Sequence, residues 1–421
     1  MIQTFKLSEG VTLRCCRDAR FKQGCLSFQI IRPMSAEENA MNALLPSVLL
    51  RGTKKHGDLR AITHRLDELY GASVSAVVRR VGDYQTTGLY CGFMDDRFAL
   101  PGDKVLAPML EFLAELLLDS AVENGGFLAS FVDSEKKNLI ATIESEMNDK
   151  RAYAMGRLLR VMCREDTFGL PRLGDKEQVA AIDPVKLYDH YQEILRESPI
   201  EIFYVGSGEP EEISALLQPL LARICRNHAA LNAQTGFRGC EASDLTETME
   251  VSQGKLCMGF VTPITNRTEE FPAMQLLNTI FGSGMTSKLF MNIREKMSLC
   301  YSIGSGYYGT KGIVTVSAGI DFDKEEVTRQ EVLRQLKACQ DGDITEEELT
   351  AAREAILSSL RATHDSPGAI EGYYATAALS GMKMTPAEYM AAIEAVTKEQ
   401  VVAAANSLML HTTYFLKGGS Q

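Results

Sequence analysis

Several sequence patterns that define common classes of protein are missing from this chain of 421 residues. No apolar run approaches the roughly 18 residues that would suggest a membrane-spanning helix. The opening residues, MIQTFKLSEGVTLRCC, lack the apolar centre of a signal peptide. There is no basic run and no stripe that combines aromatic and basic side chains, which argues against nucleic acid as a partner. We therefore expect a cytoplasmic protein without a membrane or nucleic-acid partner.

The sequence also lacks the short motifs of several kinds of catalytic site. It has ten cysteines but no CxxC pair, so neither a cysteine zinc site nor a dithiol redox site is expected, and the cysteines should be reduced and mostly buried. The nucleophile motif GxSxG is absent. Glycine-serine-glycine occurs at 282–284 and at 304–306 without the continuation of a phosphate-binding loop, so we interpret both as turns. The six histidines are scattered, which favours ordinary core or surface positions.

What is present is typical of a globular protein with more than one domain. Hydrophobic residues make up 45% of the chain and charged residues 24%, which are ordinary proportions. The formal net charge is −11, and this acidity favours solubility rather than any particular ligand. A chain of this length is too long for one ordinary core, so two or more domains are expected.

The two halves of the chain contain similar elements in the same order. An Ala-Ala-Ile sequence at 180–182 precedes a helix and a strand at 202–206, and another at 391–393 precedes a helix and a strand at 413–418. The polar stretch between the halves predicts a linker at 231–245. We predict an α+β protein with two duplicated domains, 1–230 and 246–421. Each would have a mostly antiparallel sheet with helices packed on one side.

The segment 281–308, FGSGMTSKLFMNIREKMSLCYSIGSGYY, carries the most distinctive side chains of the second half. Apolar residues recur at helical spacing over 289–297, which predicts a helix with one buried face. They alternate over 299–303, which predicts a strand. Arg294 would lie on the helix and Tyr301 on the strand, and together they could hold a carboxylate or a backbone carbonyl. A surface arginine and a half-buried strand tyrosine remain the alternative interpretation.

The internal repeat bears on this choice, because it aligns Arg294 with Asp67 and Tyr301 with Val74. The Arg/Tyr pair therefore belongs to the second copy and has no counterpart in the first. A feature that the fold itself required would be expected in both copies. The repeat thus favours a functional role for the pair.

The same segment resembles the pitrilysin/insulinase metallopeptidases, a family that includes mitochondrial processing peptidase, and the resemblance covers essentially the full chain. Members carry a glycine turn and then a segment of the form "sRLf…iREkrGLaYsv" in their second domain. Arg294 and Tyr301 fall on the Arg/Tyr pair of this segment, which in the family helps to hold the peptide substrate across from zinc. Ser298 stands where the family usually has glycine. The residues LLRGT at 49–53 match the family's "lfkGT", which follows its metal motif.

The metal motif itself is replaced in this chain. Active members carry H-x-x-E-H, with two histidines for zinc and a glutamate as general base. Counted back from the Gly-Thr pair, these three positions hold Ala43, Pro46 and Ser47. The family's third ligand is a glutamate on a later helix. Alignment through Glu135 puts Thr142 at that position, with Glu144 and Glu146 close by.

The resemblance implies a division of labour between two chains, since this family often pairs a zinc-bearing chain with one that carries the Arg/Tyr pair. We therefore expect a non-catalytic subunit of a heterodimeric zinc metallopeptidase that is inactive alone. It would have no metal or other cofactor of its own and would supply substrate-binding Arg294 and Tyr301. Its partners would be a homologous zinc-bearing subunit and a peptide or unfolded-protein substrate.

Two other functions stay open on the sequence. The chain could be a catalytically dead peptide-binding or scaffold protein of the same fold, or an active enzyme with a relocated metal site. In the family, the substrate adds as an extra strand to a sheet edge. The matching edge lies at 72–79, here without the metal motif beside it.

Overall fold

The computed structural model of the protein describes residues 2–224 and 236–419. These residues form thirteen strands: β1 (Ile2–Ser8), β2 (Val11–Arg17), β3 (Gln23–Pro33), β4 (Ser73–Val81), β5 (Tyr84–Met94), β6 (Val122–Glu123), β7 (Gly126–Phe127), β8 (Ile200–Gly206), β9 (Ser243–Met249), β10 (Gly254–Val261), β11 (Cys300–Tyr308), β12 (Ile313–Ile320) and β13 (Met409–Gly418). Part of the predicted linker, 231–235, lies outside the described residues. β9 already begins at Ser243, inside the predicted linker.

The described residues also form fourteen α-helices: α1 (Asn39–Leu49), α2 (Leu59–Glu68), α3 (Leu106–Leu118), α4 (Ala129–Asn148), α5 (Lys150–Met162), α6 (Lys176–Ala180), α7 (Pro184–Glu197), α8 (Pro210–Leu221), α9 (Phe271–Asn278), α10 (Glu325–Gln340), α11 (Glu346–Ala362), α12 (Pro367–Ser380), α13 (Pro386–Ala395) and α14 (Lys398–Asn406). Two π-helical segments, Thr279–Ser283 and Leu289–Lys296, follow α9. No helix in the described part of the chain is both long and apolar enough to cross a membrane.

The described residues divide into two compact units with exchanged segments. Unit 1 comprises 2–144, 171–224 and 364–376, and unit 2 comprises 145–170, 236–363 and 377–419. Helix α5 therefore belongs to unit 2, although it comes from the first half of the chain. The beginning of α12 belongs to unit 1, although it comes from the second half.

Each unit is built on one main sheet, and the two sheets have the same strand order. From the β4 edge, the sheet of unit 1 runs β4-β5-β3-β8-β2-β1. From the β11 edge, the sheet of unit 2 runs β11-β12-β10-β13-β9. All neighbouring strands are antiparallel except the pair β2/β8 in the first sheet and the pair β9/β13 in the second. Without β1, each strand of the first sheet has a counterpart in the second at the same place. This confirms the predicted fold class of two duplicated, mostly antiparallel α+β domains.

The main cores lie on the helix-bearing face of each sheet. In β3, Leu26, Phe28 and Ile30 point into the unit 1 core with exposed fractions of 0–1%. In β10, Leu256, Met258 and Phe260 point into the unit 2 core with the same exposure. The residues between them point to the opposite face of the sheet, and most of these are buried as well.

Helix starts follow the capping chemistry that the sequence indicates. Thr345, Thr385 and Thr397 each accept a backbone N–H from the third helical residue, whose side chain bonds back to the threonine N–H. This reciprocal capping box satisfies two backbone donors that the helix leaves without partners. Asp183 caps α7 with Pro184 in the first turn, where proline is tolerated.

The opposite face of each sheet is covered by an exchanged segment. In unit 2, Leu158 of α5 packs against Cys257 and Tyr414. In unit 1, Glu371 of α12 is 1% exposed and accepts hydrogen bonds from Ser27 and Gln29 of β3. Arg79 of β4 forms a bidentate ion pair with the same carboxylate, with both distances 2.9 Å. These exchanged helices add a layer that the internal repeat did not predict.

Candidate functional site

The degenerate metal motif lies on α1, a helix that is buried along nearly its whole length. Ala43 is 5% exposed, Pro46 is buried and Ser47 is half-buried. A methyl group and a pyrrolidine ring have no lone pair to offer zinc, and neither can act as a base. One hydroxyl among these three positions cannot replace two imidazoles and a carboxylate.

Pro46 changes the hydrogen bonding of α1 from within. Proline has no N–H, so the Asn42 carbonyl four residues earlier loses its usual helical donor. Thr87, on β5, supplies a replacement: its Oγ1 donates to the Asn42 oxygen at 2.6 Å. The proline that occupies the position of the catalytic base is therefore accommodated by a bond from the sheet.

A buried polar network surrounds the same turn of α1. The Asn42 amide donates to Gln85 Oε1 at 3.0 Å, and the Asn42 oxygen Oδ1 lies 2.7 Å from His190 Nε2. Because Oδ1 can only accept, His190 carries its proton on Nε2. Gln85 in turn donates to the carbonyls of Asn39 at 3.0 Å and Arg172 at 2.7 Å. Burial lowers the pKa of His190 to about 4, so the ring is neutral at physiological pH.

The region of the family's third ligand is also occupied by ordinary structural contacts. Thr142 is exposed, and its hydroxyl donates to the Asn138 carbonyl at 2.9 Å. Glu135 accepts from the Asn138 amide at 3.2 Å and pairs with Arg51 at 3.3 Å. Glu144 lies 3.7 Å from Lys176. Over residues 2–224 and 236–419, no group of three or more His, Cys, Asp or Glu side chains is arranged to hold a metal ion.

The edge strand β4, which matches the family's substrate-adding edge, is partly capped by a side chain. Arg172 Nη1 donates to the Val78 carbonyl at 2.9 Å. β4 pairs with β5 alone, so an oxygen bonded to Arg172 is not available to an added strand there. The carbonyls of Pro171 and Arg172 accept from Asn39 and Gln85, which fixes this loop against α1.

Arg294 lies on the second π-helical segment, which ends in a left-handed residue. Ser298 has φ of +50°, a conformation that favours glycine, and it stands at the family's glycine position. The Ser298 N–H donates to the Arg294 carbonyl at 3.2 Å, and the Leu299 N–H donates to the Ile293 carbonyl at 3.0 Å. These bonds close the helix and lead the chain into β11. π-Helical turns are rare and often occur at functional sites.

The Arg294 side chain is held by an aromatic ring. Its guanidinium carbon lies 4.6 Å from the centre of the Phe290 ring, a cation–π distance. Glu295 lies 3.7 Å away, and the Arg294 side chain remains 42% exposed. An exposed ion pair of this kind contributes little to stability. The guanidinium of Arg294 is therefore only weakly held by Glu295 and can donate to a ligand.

Tyr301 projects from an irregularity at the start of β11. The pairing of β11 with β12 shifts between Cys300 and Ser302 and skips Tyr301, as in a β-bulge. The tyrosine side chain is 68% exposed. No hydrogen bond joins it to Arg294 within the described residues, so both side chains present donors to solvent.

Some parts of this site were missed by sequence reasoning. The predicted buried face holds at Leu289 and Ile293, but Met297 is 40% exposed, because the π-helical turn and Ser298 end the helix there. The glycine-serine-glycine at 304–306 lies inside β11, so its interpretation as a turn was wrong. The family glycine at Ser298 was the one available signal for a left-handed residue. Nothing in the local pattern signalled the bulge at Tyr301.

Comparisons with known proteins identify the family. Residues 181–356 match the family model described as peptidase M16 inactive domain. Over 409 residues, the chain is 30% identical to "Probable inactive metalloprotease YmfF" of Bacillus subtilis, with coverage of 97% of this chain and 96% of the relative. The chain belongs to the M16 peptidase family, which is the pitrilysin/insulinase family that the sequence resembles.

Solved structures agree with this assignment. A conserved protein from Enterococcus faecalis superposes with a TM-score of 0.92 at 27% identity, covering 100% of this chain and 99% of that one. A structure described as peptidase M16 inactive domain from Pseudomonas fluorescens has a TM-score of 0.81 at 18% identity, with coverage of 100% and 98%. The latter similarity shows the fold alone. The zinc-motif positions of this chain are replaced, and its relatives include proteins described as inactive. The chain is therefore an inactive-type member of the family. The residues at 43, 46, 47 and 142 do not fit the family's zinc ion.

The first testable prediction concerns metal content. Protein purified without chelators and dialysed into metal-free buffer should contain far less than one equivalent of zinc per chain, because Ala43, Pro46 and Ser47 offer no ligand set. Inductively coupled plasma mass spectrometry measures this, with a zinc enzyme of known stoichiometry treated in parallel. One equivalent of zinc that a chelator removes together with peptidase activity would contradict the prediction.

The second prediction concerns the bond that compensates for Pro46. Thr87→Val should lower the free energy of unfolding by about 1–3 kcal/mol, because a buried carbonyl loses its donor. In a Pro46→Ala background the loss should be smaller, because alanine restores the helical N–H. Urea denaturation of the four proteins gives the coupling energy. Thr86→Val is the matched control, since this neighbouring hydroxyl is buried without a hydrogen-bond partner in the described structure. Equal costs in both backgrounds would contradict the assignment.

The third prediction concerns the pH dependence that His190 adds. Its folded pKa lies below its unfolded value, so the unfolded chain binds the extra proton and stability falls as pH drops from about 6.5 towards 4. Between pH 7 and 5, this group should remove about 2 kcal/mol of unfolding free energy. His190→Gln should flatten the curve over that window, because glutamine has no proton to gain. Parallel curves for wild type and His190→Gln would be the contrary result.

Proposed function

We propose that the chain is the non-catalytic subunit of a heterodimeric zinc metallopeptidase. It would place Arg294 and Tyr301 beside the substrate in the active site of a homologous, zinc-bearing partner that cleaves peptides or unfolded precursors. The zinc ion and the general base would both belong to that partner. Alone, the chain would have no peptidase activity.

One observation supports this proposal: the chain has lost the zinc motif of the family but has the Arg/Tyr pair. The motif positions 43, 46 and 47 are packed into α1 and replaced by residues that cannot bind metal. Arg294 and Tyr301 are retained and exposed, at 42% and 68%. This combination is expected of a chain that supplies the pair to a partner carrying the zinc ion.

The chemistry available to the pair is that of hydrogen-bond donation. The phenol O–H of Tyr301 and the N–H groups of Arg294 can donate to a peptide carbonyl. Placed near the scissile bond, they would orient the peptide and stabilise negative charge that develops on the carbonyl oxygen. The ring of Phe290 beneath the guanidinium limits its motion, which reduces the entropy lost on binding.

The fourth prediction tests this role in a complex. The chain is co-expressed with the HxxEH-bearing homologue from the same genome, and cleavage of a fluorogenic unfolded peptide is measured. Arg294→Ala and Tyr301→Phe should each lower kcat/KM by about 10²–10³, the cost of removing one such donor. Arg361→Ala and Tyr70→Phe change the same residue types elsewhere and should leave the rate unchanged.

The complex must persist in every variant, which light scattering after size exclusion verifies. Equal cleavage by wild type and both variants would reject the role of Arg294 and Tyr301 and leave a scaffold protein as the surviving function. Failure of the two chains to associate at all would reject the heterodimer. Full cleavage by the isolated chain would reject both.

A further inference from the structure

A groove in unit 2 lies beside the outermost strand of its sheet and has no role in the function proposed above. It encloses about 680 Å³, within the range of small-ligand sites in proteins. Its floor is formed by β11 and β12, one wall by the first turns of α5, and the other by residues 282–285, at the end of the first π-helical segment, with Phe290. We refer to it as the β11 groove.

Two glycines of β11 lie in the floor of the groove, at positions where the fold does not require glycine. A Cβ atom on Gly304 would meet nothing closer than the Gly282 carbonyl at 3.5 Å, and one on Gly306 nothing closer than Thr315 Oγ1 at 3.5 Å. Both are ordinary contact distances, and neither residue has a positive φ. Glycine inside a strand costs roughly 0.5–1 kcal/mol relative to alanine. A glycine that the fold does not need often marks the close approach of a ligand or another backbone.

Other strand glycines in this chain differ in this respect. A Cβ on Gly88 would lie 1.9 Å from the Phe28 carbonyl oxygen, and one on Gly259 would lie 2.6 Å from Met162 Sδ. At Gly88 the backbone of the neighbouring strand demands glycine, and at Gly259 a side chain would have to displace Met162. Gly304 and Gly306 are therefore set apart by the open space above them.

The residues next to these glycines are also short. Gly304 pairs with Ser317 and Gly306 with Thr315, so the four floor positions carry two hydroxyl side chains and no large group. Helix α5 does not fill the space, because its Leu158 packs against Cys257 of β10 instead. The result is a trough that runs along an edge strand.

The walls of the groove suit a large apolar side chain. Met155, Met285 and Phe290 line it, and Met285 is 78% exposed. Flexible methionines and an aromatic ring adapt to apolar groups of various shapes. An exposed methionine at the rim of a cavity is a typical component of a binding surface.

One cation in the groove can bind an acidic group, although the chain as a whole carries −11. Arg151 lines the groove, is exposed, and has no side-chain partner among the described residues. The other charged lining residue is Asp149, whose Oδ1 accepts the backbone N–H groups of Arg151 and Ala152 at 2.9 and 3.1 Å. The carboxylate is thus held as the cap of α5, while the guanidinium remains available.

From these contacts we infer that the β11 groove binds an extended polypeptide segment that carries a bulky apolar side chain and an acidic one two residues apart, because side chains at this spacing point to the same face. The segment runs along β11, its apolar side chain lies over Gly304 and Gly306 between Met155 and Phe290, and its carboxylate pairs with Arg151. This rests on the proposed function only for the class of ligand, a peptide. It adds a second contact to that of Arg294, whose guanidinium stacks on the same Phe290.

The fifth prediction is measured on the isolated full-length chain by fluorescence anisotropy. The probe is a short fluorescein-labelled peptide with phenylalanine, alanine and aspartate in that order at its centre, so that its apolar and acidic side chains share one face. Gly306→Val and Gly304→Val should each weaken binding by about tenfold or more, because their side chains fill the trough. Gly156→Ala, on α5 but outside the groove, should bind normally. Arg151→Glu should weaken binding of the aspartate peptide and not of one with asparagine in its place.

Thermal unfolding of each variant shows that the fold is retained, which the open space at both glycines leads us to expect. Absence of binding to wild type, or equal affinity for wild type and Gly306→Val, would overturn the inference. Loss of discrimination by charge in the wild type would overturn the role of Arg151. These outcomes are separate from the proposed function, because cleavage by the two-chain complex and its dependence on Arg294 are measured independently.

Discussion

A proline in the middle of a buried helix leaves one carbonyl oxygen without its helical donor, and the polar interior of unit 1 is arranged around that deficit. Thr87 donates to the oxygen, and the adjoining amides of Asn42 and Gln85 connect α1 to His190 and to the loop at Arg172. A buried polar group without a partner is costly. The substitution that removes the catalytic base is therefore compatible with the fold only because neighbouring side chains complete the hydrogen bonding.

The edge strands β4 and β11 occupy corresponding positions in the two sheets but differ in their contacts. On β4, Arg172 occupies a carbonyl at the edge. On β11, glycines, a bulge and exposed donors keep the edge accessible. The strand β4 is tied to the rest of unit 1 by the bond from Arg172, while the strand that carries Tyr301 has an irregular start and an exposed side chain there. The shared strand order makes this comparison possible, since each position in one sheet has a counterpart in the other.

Much of the fold could be predicted because its signals are local and repeated. Capping residues such as Thr345 act over a few residues, and the order of elements is a pattern that the second half of the chain repeats. The exchange of α5 and α12 could not be predicted, since it depends on which distant face a helix covers. At the site, the family pattern locates Arg294 and Tyr301. The Phe290 contact, the bulge and the Thr87 bond depend on geometry that spacing alone does not contain, and Gly304 and Gly306 were misinterpreted because glycine favours turns in most sequences.

The exchanged segments determine how this chain can be divided into parts that fold. The first half of the gene encodes the helix that covers the sheet of unit 2, and the second half encodes the start of the helix that covers the sheet of unit 1. Neither half therefore specifies a complete unit. A fragment that encodes either half alone would leave one face of its sheet without the helix that covers it.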